Sequence, residues 1–271
     1  MKAGDGDMIQ GRKRFVFLAG LHRSGTSLLH QIIRDHPLVS GFRDTGVPQD
    51  EGQHLQTVYP PAKEFGGPGK FAFHAGARMT EAHPLATPQA GETIFAQWRR
   101  HFDLAKEILV EKSPPNIIRT RFLQEAFPGS LFIAILRHPL AVSYATMKWS
   151  GTSLPSLLDH SFRAYEIFAE DMLRLNSVYV LRYEDFVLHP GEEISKLYRF
   201  IGIPAVEFAQ EVLTDVNGKY FQNWKDDWAA MESEWKPAMP EWERRASRFG
   251  YSLERPERLS PSPILGLHGR R

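Results

Sequence analysis

The sequence predicts an α/β domain of three layers, with a central, mainly parallel sheet and helices on both faces. Short apolar runs, several of them β-branched, recur at residues 15–19, 108–110, 131–136 and 178–181, each too short for a helix and each suited to a buried strand. After each run comes a turn, then apolar residues at helical spacing, which is the alternation that builds parallel strands joined by crossover helices. The chain has 271 residues, 42% hydrophobic and 24% charged, which suits one sizeable core carrying a lid.

Residues 1–13 are polar, contain no apolar core and read as a flexible leader. The first strand, Phe15 to Ala19, breaks at Gly20. Leu28, Leu29, Ile32 and Ile33 then mark a helix that stops near Asp35-His36-Pro37, because proline disfavours helix in the residue before it. Between strand and helix lie Arg23, Ser24, Gly25, Thr26 and Ser27. Such a turn points successive backbone N–H groups and the positive end of a helix dipole at one place, and an anion belongs there. Gly25 lets the backbone approach it, the hydroxyls donate to it, and Arg23 adds a fixed charge. A tight turn with incidental Ser and Thr is the bland alternative. Gly20 and Gly25 have the spacing of a nucleotidase phosphate loop, yet Thr26 stands where its lysine belongs, which argues against ordinary ATP or GTP hydrolysis.

Residues 38–90 are dense in Gly, Pro and His and weakly periodic, and read as a substrate-covering insertion with short helical pieces. Within it, Glu51 and His54 are three apart and share a face if helical; a solvated acidic turn with a surface histidine competes. Helical spacing over 91–107 and the strand at 108–110 lead to Glu111-Lys-Ser-Pro, so Lys112 sits at a strand's carboxyl end, where doubly wound sheets place ligands. The strand at 131–136 ends at Arg137, where a nucleotidase often has a metal-binding aspartate, and a helix follows to Trp149. A long helix over 155–175, a strand at 178–181 and its exit Arg182-Tyr-Glu-Asp185 come next, with Glu184 and Asp185 read as structural support. His189-Pro190 opens a helix closed by Gly202, and beyond it lies an aromatic and basic stretch with Lys219, Tyr220 and Trp224. Residues 255–271, rich in Pro, Ser and Arg, read as a flexible tail after a domain spanning 14–254.

The string Gly20-Leu-His-Arg-Ser-Gly-Thr-Ser-Leu-Leu29 resembles the 5′-phosphosulfate loop of sulfotransferases that use 3′-phosphoadenosine 5′-phosphosulfate (PAPS), especially bacterial and tyrosylprotein-type members. The resemblance continues, in the family's order, at Glu111-Lys-Ser-Pro, Leu136-Arg-His-Pro and Leu181-Arg-Tyr-Glu-Asp-Phe, and covers most of residues 14–204. It implies a P-loop-like α/β fold and in-line transfer of a sulfuryl group from PAPS to a hydroxyl or amine, without a metal. It further implies that His22, Arg23, Ser24, Gly25, Thr26 and Ser27 hold the phosphosulfate and that Arg23 and Lys112 stabilise charge at the transferring group. Arg137 then binds the 3′-phosphate, and Lys219 and Tyr220 belong to a late loop over the nucleotide, with packing of a C-terminal helix as the competing explanation. The family places its acceptor-deprotonating residue near Glu51 and His54, ranked in that order ahead of Asp44 and Asp50. One departure stands out: Ala145 occupies the position of the usual second 3′-phosphate ligand, a serine, and Ser143 is the neighbouring candidate.

A net charge of +1 gives no bulk electrostatic support for nucleic-acid binding, and zero cysteines exclude disulfides, thiolate metal sites and cysteine catalysis. No apolar run reaches the length of a membrane span, and the expected setting is cytoplasmic. The acceptor is a small molecule, glycan or lipid; Phe65, Phe71, Phe73 and Trp149 point to an apolar or aromatic one unless they are core residues. Two other classes stay open, a P-loop phosphotransferase and a non-catalytic nucleotide- or partner-binding protein of the same fold.

Overall fold

The structure, a computed structural model, describes residues 13–269. Of the leader expected over 1–13 only Lys13 falls within them; the rest lies outside the described residues. Lys13 is tied down, its Nζ donating to the carbonyls of Leu104 and Lys106 at 2.6 and 2.8 Å.

Strand β1 (Arg14–Gly20) lies in the middle of the sheet because both of its faces are apolar. Phe15, Phe17 and Ala19 enter the hydrophobic cluster on one side and Val16 and Leu18 the cluster on the other, following the two-residue period of a strand. Parallel partners flank it: β3 (Ile108–Lys112), with Val16 opposite Val110, and β4 (Leu131–Leu136), with Leu18 opposite Ile133. Outside these lie β2 (Val39–Gly41) beside β3 and β5 (Ser177–Arg182) beside β4, both parallel, and β6 (Gly266–Gly269) runs antiparallel along β5. The order is β2-β3-β1-β4-β5-β6. The chain leaves β1 toward one edge for β2 and β3 and returns past it for β4, so a switch point lies at the carboxyl ends of β1 and β4, the usual place for a ligand.

Helices α1 (Thr26–Arg34), α6 (Tyr183–Leu188) and α7 (Pro190–Ile201) cover one face through Leu29, Ile32, Phe186, Ile194 and Leu197. The other face is covered by α2 (Pro88–Trp98), α3 (Thr120–Ala126), α4 (Pro139–Ser150), α5 (Leu154–Asp171), α8 (Gly218–Trp235) and α9 (Met239–Ser247). The expected α/β class and its four strands are all present. No helix among the described residues is long and apolar enough to cross a membrane.

The helical spacing read over 91–107 extends only to Trp98, where the chain tightens into a 3₁₀ turn at Arg99–His101. Its start is set by Thr87, whose side chain accepts from the Ala90 N–H, and by Pro88 at the first turn. Residues 38–90 hold five 3₁₀ turns and the unanticipated strand β2. The segment is part of the core, for Phe42, Tyr59 and Phe71 are buried, and the buried guanidinium of Arg119 donates to the carbonyls of Ala77 and Pro60. The largest difference concerns residues 255–271. Where the sequence predicts a flexible tail, Gly266–Gly269 form β6, and Arg182 donates to the Ser260 carbonyl at 2.9 Å. Backbone pairing on an edge strand needs no apolar pattern, which is why glycine-rich residues could form a strand without signalling one.

Candidate functional site

At the carboxyl end of β1 the chain turns through Arg23 and Gly25, both with positive φ (70° and 100°), and α1 begins at Thr26. Gly25 is required here: a Cβ would lie 2.7 Å from the ring of Tyr183. Among the described residues no side chain caps α1, so its first N–H groups and its positive dipole end remain free beside an open cavity of about 590 Å³. His22, Arg23, Gly25, Thr26 and Ser27 line that cavity. Ser24 does not. Its N–H and Oγ both donate to the Leu21 carbonyl, at 3.1 and 2.7 Å, and the fully buried side chain staples the turn from behind.

Arg137, at the end of β4, reaches the same cavity. Its Nη1 donates to the Arg23 carbonyl at 2.7 Å, its Nε and Nη2 straddle Asn217 Oδ1 at 3.0 and 2.7 Å, and its guanidinium lies 4.2 Å from the Tyr183 ring centre. Asn217 passes the link on, donating through Nδ2 to Glu184 Oε1 at 2.7 Å, and Glu184 also accepts from the His138 N–H and the Tyr251 hydroxyl. Burial pushes the Glu184 carboxyl up. One arginine thus joins the phosphate-type loop to the chain entering α8.

Across the cavity stands Glu51, 5% exposed. Its Oε2 accepts from Gln53 Nε2 at 2.6 Å and its Oε1 lies 3.4 Å from the Lys112 ammonium. Burial raises its pKa, with Lys112 opposing. Neighbours fix the backbone under it. Gly52 N–H donates to Glu111 Oε1 and the Gly52 carbonyl accepts from Trp98 Nε1, both at 3.0 Å; a Cβ on Gly52 would sit 2.6 Å from Glu111. Glu111 is itself buried, accepts from Ser113 Oγ and Asn116 Nδ2, and is pushed up to about 7 by its burial. His54 turns away from the cavity, half-buried, its Nε2 3.8 Å from Glu51 and its pKa lowered by burial and by Lys63. Lys112 is 1% exposed; its ammonium donates to the Gln49 carbonyl at 2.7 Å and lies behind the cavity wall that Gln49 and Glu51 form. Of the weaker carboxylates, Asp50 turns to Thr45 and the Asp44 N–H.

Residues 16–207 match the model of the Sulfotransferase family, over more than half of the chain. The chain belongs to the sulfotransferase family. The family's general reaction is sulfuryl transfer from PAPS. Relatives named omega-hydroxy-beta-dihydromenaquinone-9 sulfotransferase Stf3, from Mycobacterium bovis and Mycobacterium tuberculosis, are 22% identical over 191 residues, covering 64% of this chain and 49% of theirs. This chain therefore spans about half the length of the curated relatives it matches. Among solved structures, sulfotransferase STF1 from Mycobacterium tuberculosis H37Rv aligns with a TM-score of 0.52 at 15% identity, covering 72% of this chain and 69% of that one. Sulfotransferase STF9 from Mycobacterium avium aligns at 0.50 and 12%, covering 82% and 71%. At such identities the likeness is one of fold, the P-loop-like α/β fold.

The other expected ligands lie apart from the cavity wall. Ser143 is fully buried in α4 and borders a separate small space behind His22. Lys219 is exposed and lies over the Tyr220 ring, 5.0 Å from its centre; Tyr220 is buried, with Arg137 5.7 Å from its ring. Trp224 packs in the core against Trp235 and Phe71 is fully buried, whereas Trp149 is 55% exposed and lines the cavity. Tyr183 and Gln49, which line the cavity, and Asn217, which holds Arg137, are the site residues that sequence reasoning did not single out. Tyr183 had a signal, since it sits inside the Arg182-Tyr-Glu-Asp185 motif, of which only Glu184 and Asp185 are expected as structural support.

Proposed function

We propose that this chain transfers a sulfuryl group from PAPS to a hydroxyl, or an amine, of a small acceptor. The observation that supports it best is the convergence on one cavity of an uncapped helix N-terminus, two arginines that follow different strands and a buried carboxylate. The helix N–H groups around Thr26 and Ser27, with Arg23, suit the phosphosulfate, and Arg137 suits the 3′-phosphate of the nucleotide. The acceptor oxygen attacks sulfur as the bond from sulfur to the 5′-phosphate oxygen breaks; the acceptor's proton passes to Glu51 and the negative charge that grows on the departing phosphate meets Arg23 and the helix N-terminus. Lys112, from behind the wall, favours the ionised form of Glu51 against the effect of its burial. No metal enters these steps.

Leu28, Leu213, Val216 and the exposed Trp149 give the same cavity an apolar side, which favours an apolar or aromatic acceptor; the Stf3 relatives, named for a menaquinone derivative, fit that preference. A cytoplasmic setting belongs to the proposal and rests on a cysteine-free composition suited to a reducing compartment.

Calorimetric titration with 3′-phosphoadenosine 5′-phosphate, in parallel with ADP plus Mg²⁺, tests the assignment. Binding of the 3′-phosphorylated nucleotide, weakened at least tenfold in Arg137→Ala, is expected. Preference for ADP with Mg²⁺ replaces the proposal with a phosphotransferase, and binding of neither with a non-catalytic protein.

A further inference from the structure

His22 separates two spaces. On one side is the main cavity; on the other is a small one of about 10 Å³, bordered also by Ser143, Thr146 and His160. Three polar atoms on this partition, His22 Nδ1, Ser143 Oγ and Thr146 Oγ1, are buried and find no hydrogen-bond partner among the described residues. Ser143 and Thr146 are 0% and 3% exposed and, three residues apart on α4, share a face. Buried hydroxyls on a helix commonly satisfy themselves on the carbonyl four residues back, as Ser161 does on Leu157 at 2.9 Å across the same space. Ser143 and Thr146 do not. Three unmet polar atoms around one small space are costly, and the volume is that of a single water molecule.

We infer that this space holds one water molecule bonded to His22 Nδ1, Ser143 Oγ and Thr146 Oγ1, and that the water fixes His22 with its proton on Nε2, as a neutral donor facing the main cavity. The water donates one O–H to Nδ1 and a second to one hydroxyl, and accepts from the other hydroxyl, which gives it the usual three bonds. Nε2, unlike Nδ1, is not sealed off: it has neither a partner nor a place among the buried unpaired atoms. Burial, with His160, Lys112 and His54 nearby, pushes the His22 pKa down to about 3, so the imidazole stays neutral and donates without bringing charge. Phe71 packs edge-on against both His22 and His160, centroids at 5.9 and 4.8 Å, and holds the two rings apart. His160 Nε2 accepts from the Ala72 N–H at 3.3 Å and is spoken for. His22 thereby becomes a positioning residue for an oxygen of the bound anion, oriented from behind by solvent trapped in the fold.

The target of the donor rests on the main cavity being the phosphosulfate site, whereas the water and the tautomer do not, and the test separates them. A crystal structure of the unliganded protein is expected to show density within hydrogen-bond reach of all three atoms, and ¹⁵N spectra of histidine-labelled protein, assigned with His22→Gln, to show an unprotonated Nδ1 on His22. The double variant Ser143→Ala, Thr146→Val is expected to mix the tautomers and weaken binding of 3′-phosphoadenosine 5′-phosphate about tenfold. An empty space with both hydroxyls turned to helix carbonyls, a proton on Nδ1, or unchanged binding by a folded double variant overturns the inference. Water and tautomer as described, in a protein that ignores the nucleotide, support the trapped water and overturn the reading of the main cavity instead.

Discussion

Glu51 meets two opposed influences: burial holds its carboxyl above the usual range, and the ammonium of Lys112, 3.4 Å away, draws it back. A base works ionised, so kcat/KM should fall as pH drops through that raised pKa. Glu51→Gln should abolish this acid limb and lower kcat by about 10²–10⁴ while leaving nucleotide affinity within a few-fold. Lys112→Ala removes the cation and should shift the limb to higher pH; a limb that does not move separates Lys112 from Glu51. Sequence alone left Glu51 and His54 open, because three-residue spacing says that two side chains share a turn but not which one the turn presses inward. What turns Glu51 inward is Gly52, held between Glu111 and Trp98 from other elements. The place of Lys112 at a strand end was legible. Its engagement with the Gln49 carbonyl was not, for that contact depends on how a remote segment folds over it.

Helix α4 begins where His138 accepts from the Leu140 N–H through Nδ1 and bonds the Ser252 carbonyl through Nε2, a pairing that needs a neutral ring. Burial pushes this histidine down to about 3 from 6.5. The folded form thus resists a proton that the unfolded form takes up, so the stability His138 contributes is complete above pH 6.5 and is lost as pH falls toward about 3. At pH 5 the loss is about 2 kcal/mol. His138→Asn keeps a capping side chain and should flatten the decline of urea-unfolding free energy between pH 6.5 and 5 by about one proton's worth; an unchanged slope means that the ring titrates normally. Elements of this length and character were readable: α5 by its amphipathic period, α4 and α7 by the prolines that open them, and the four long strands by their continuous apolar runs. The short strands β2 and β6 did not, since three or four residues contain too few alternations to set a period, and 3₁₀ turns have none.

At the scale of the whole molecule, β6 closes the β5 edge of the sheet with a strand that has almost no side chains to pack. Removing residues 261–271 exposes that edge, and the shortened chain should associate with itself in a concentration-dependent way by sedimentation velocity while the full chain does not. Equal behaviour of the two forms limits β6 to a decorative pairing. The three-layer architecture was legible because β1 and β4 are apolar on both faces, a pattern that only helices on both sides can bury. The cavity wall contributed by Leu213 and Val216 was not, because irregular chain carries no period to read.

The central place of β1 has a consequence for how the protein is made. Arg14 pairs with Ile108 and Val16 with Leu131, so β1, made before either partner, has none until much of the chain has followed it. Phe15, Val16, Phe17 and Leu18 wait, exposed, through that interval. Such pairings between distant stretches make the chain a slow folder by topology, and newly synthesised copies are at their most aggregation-prone between the emergence of β1 and that of β4.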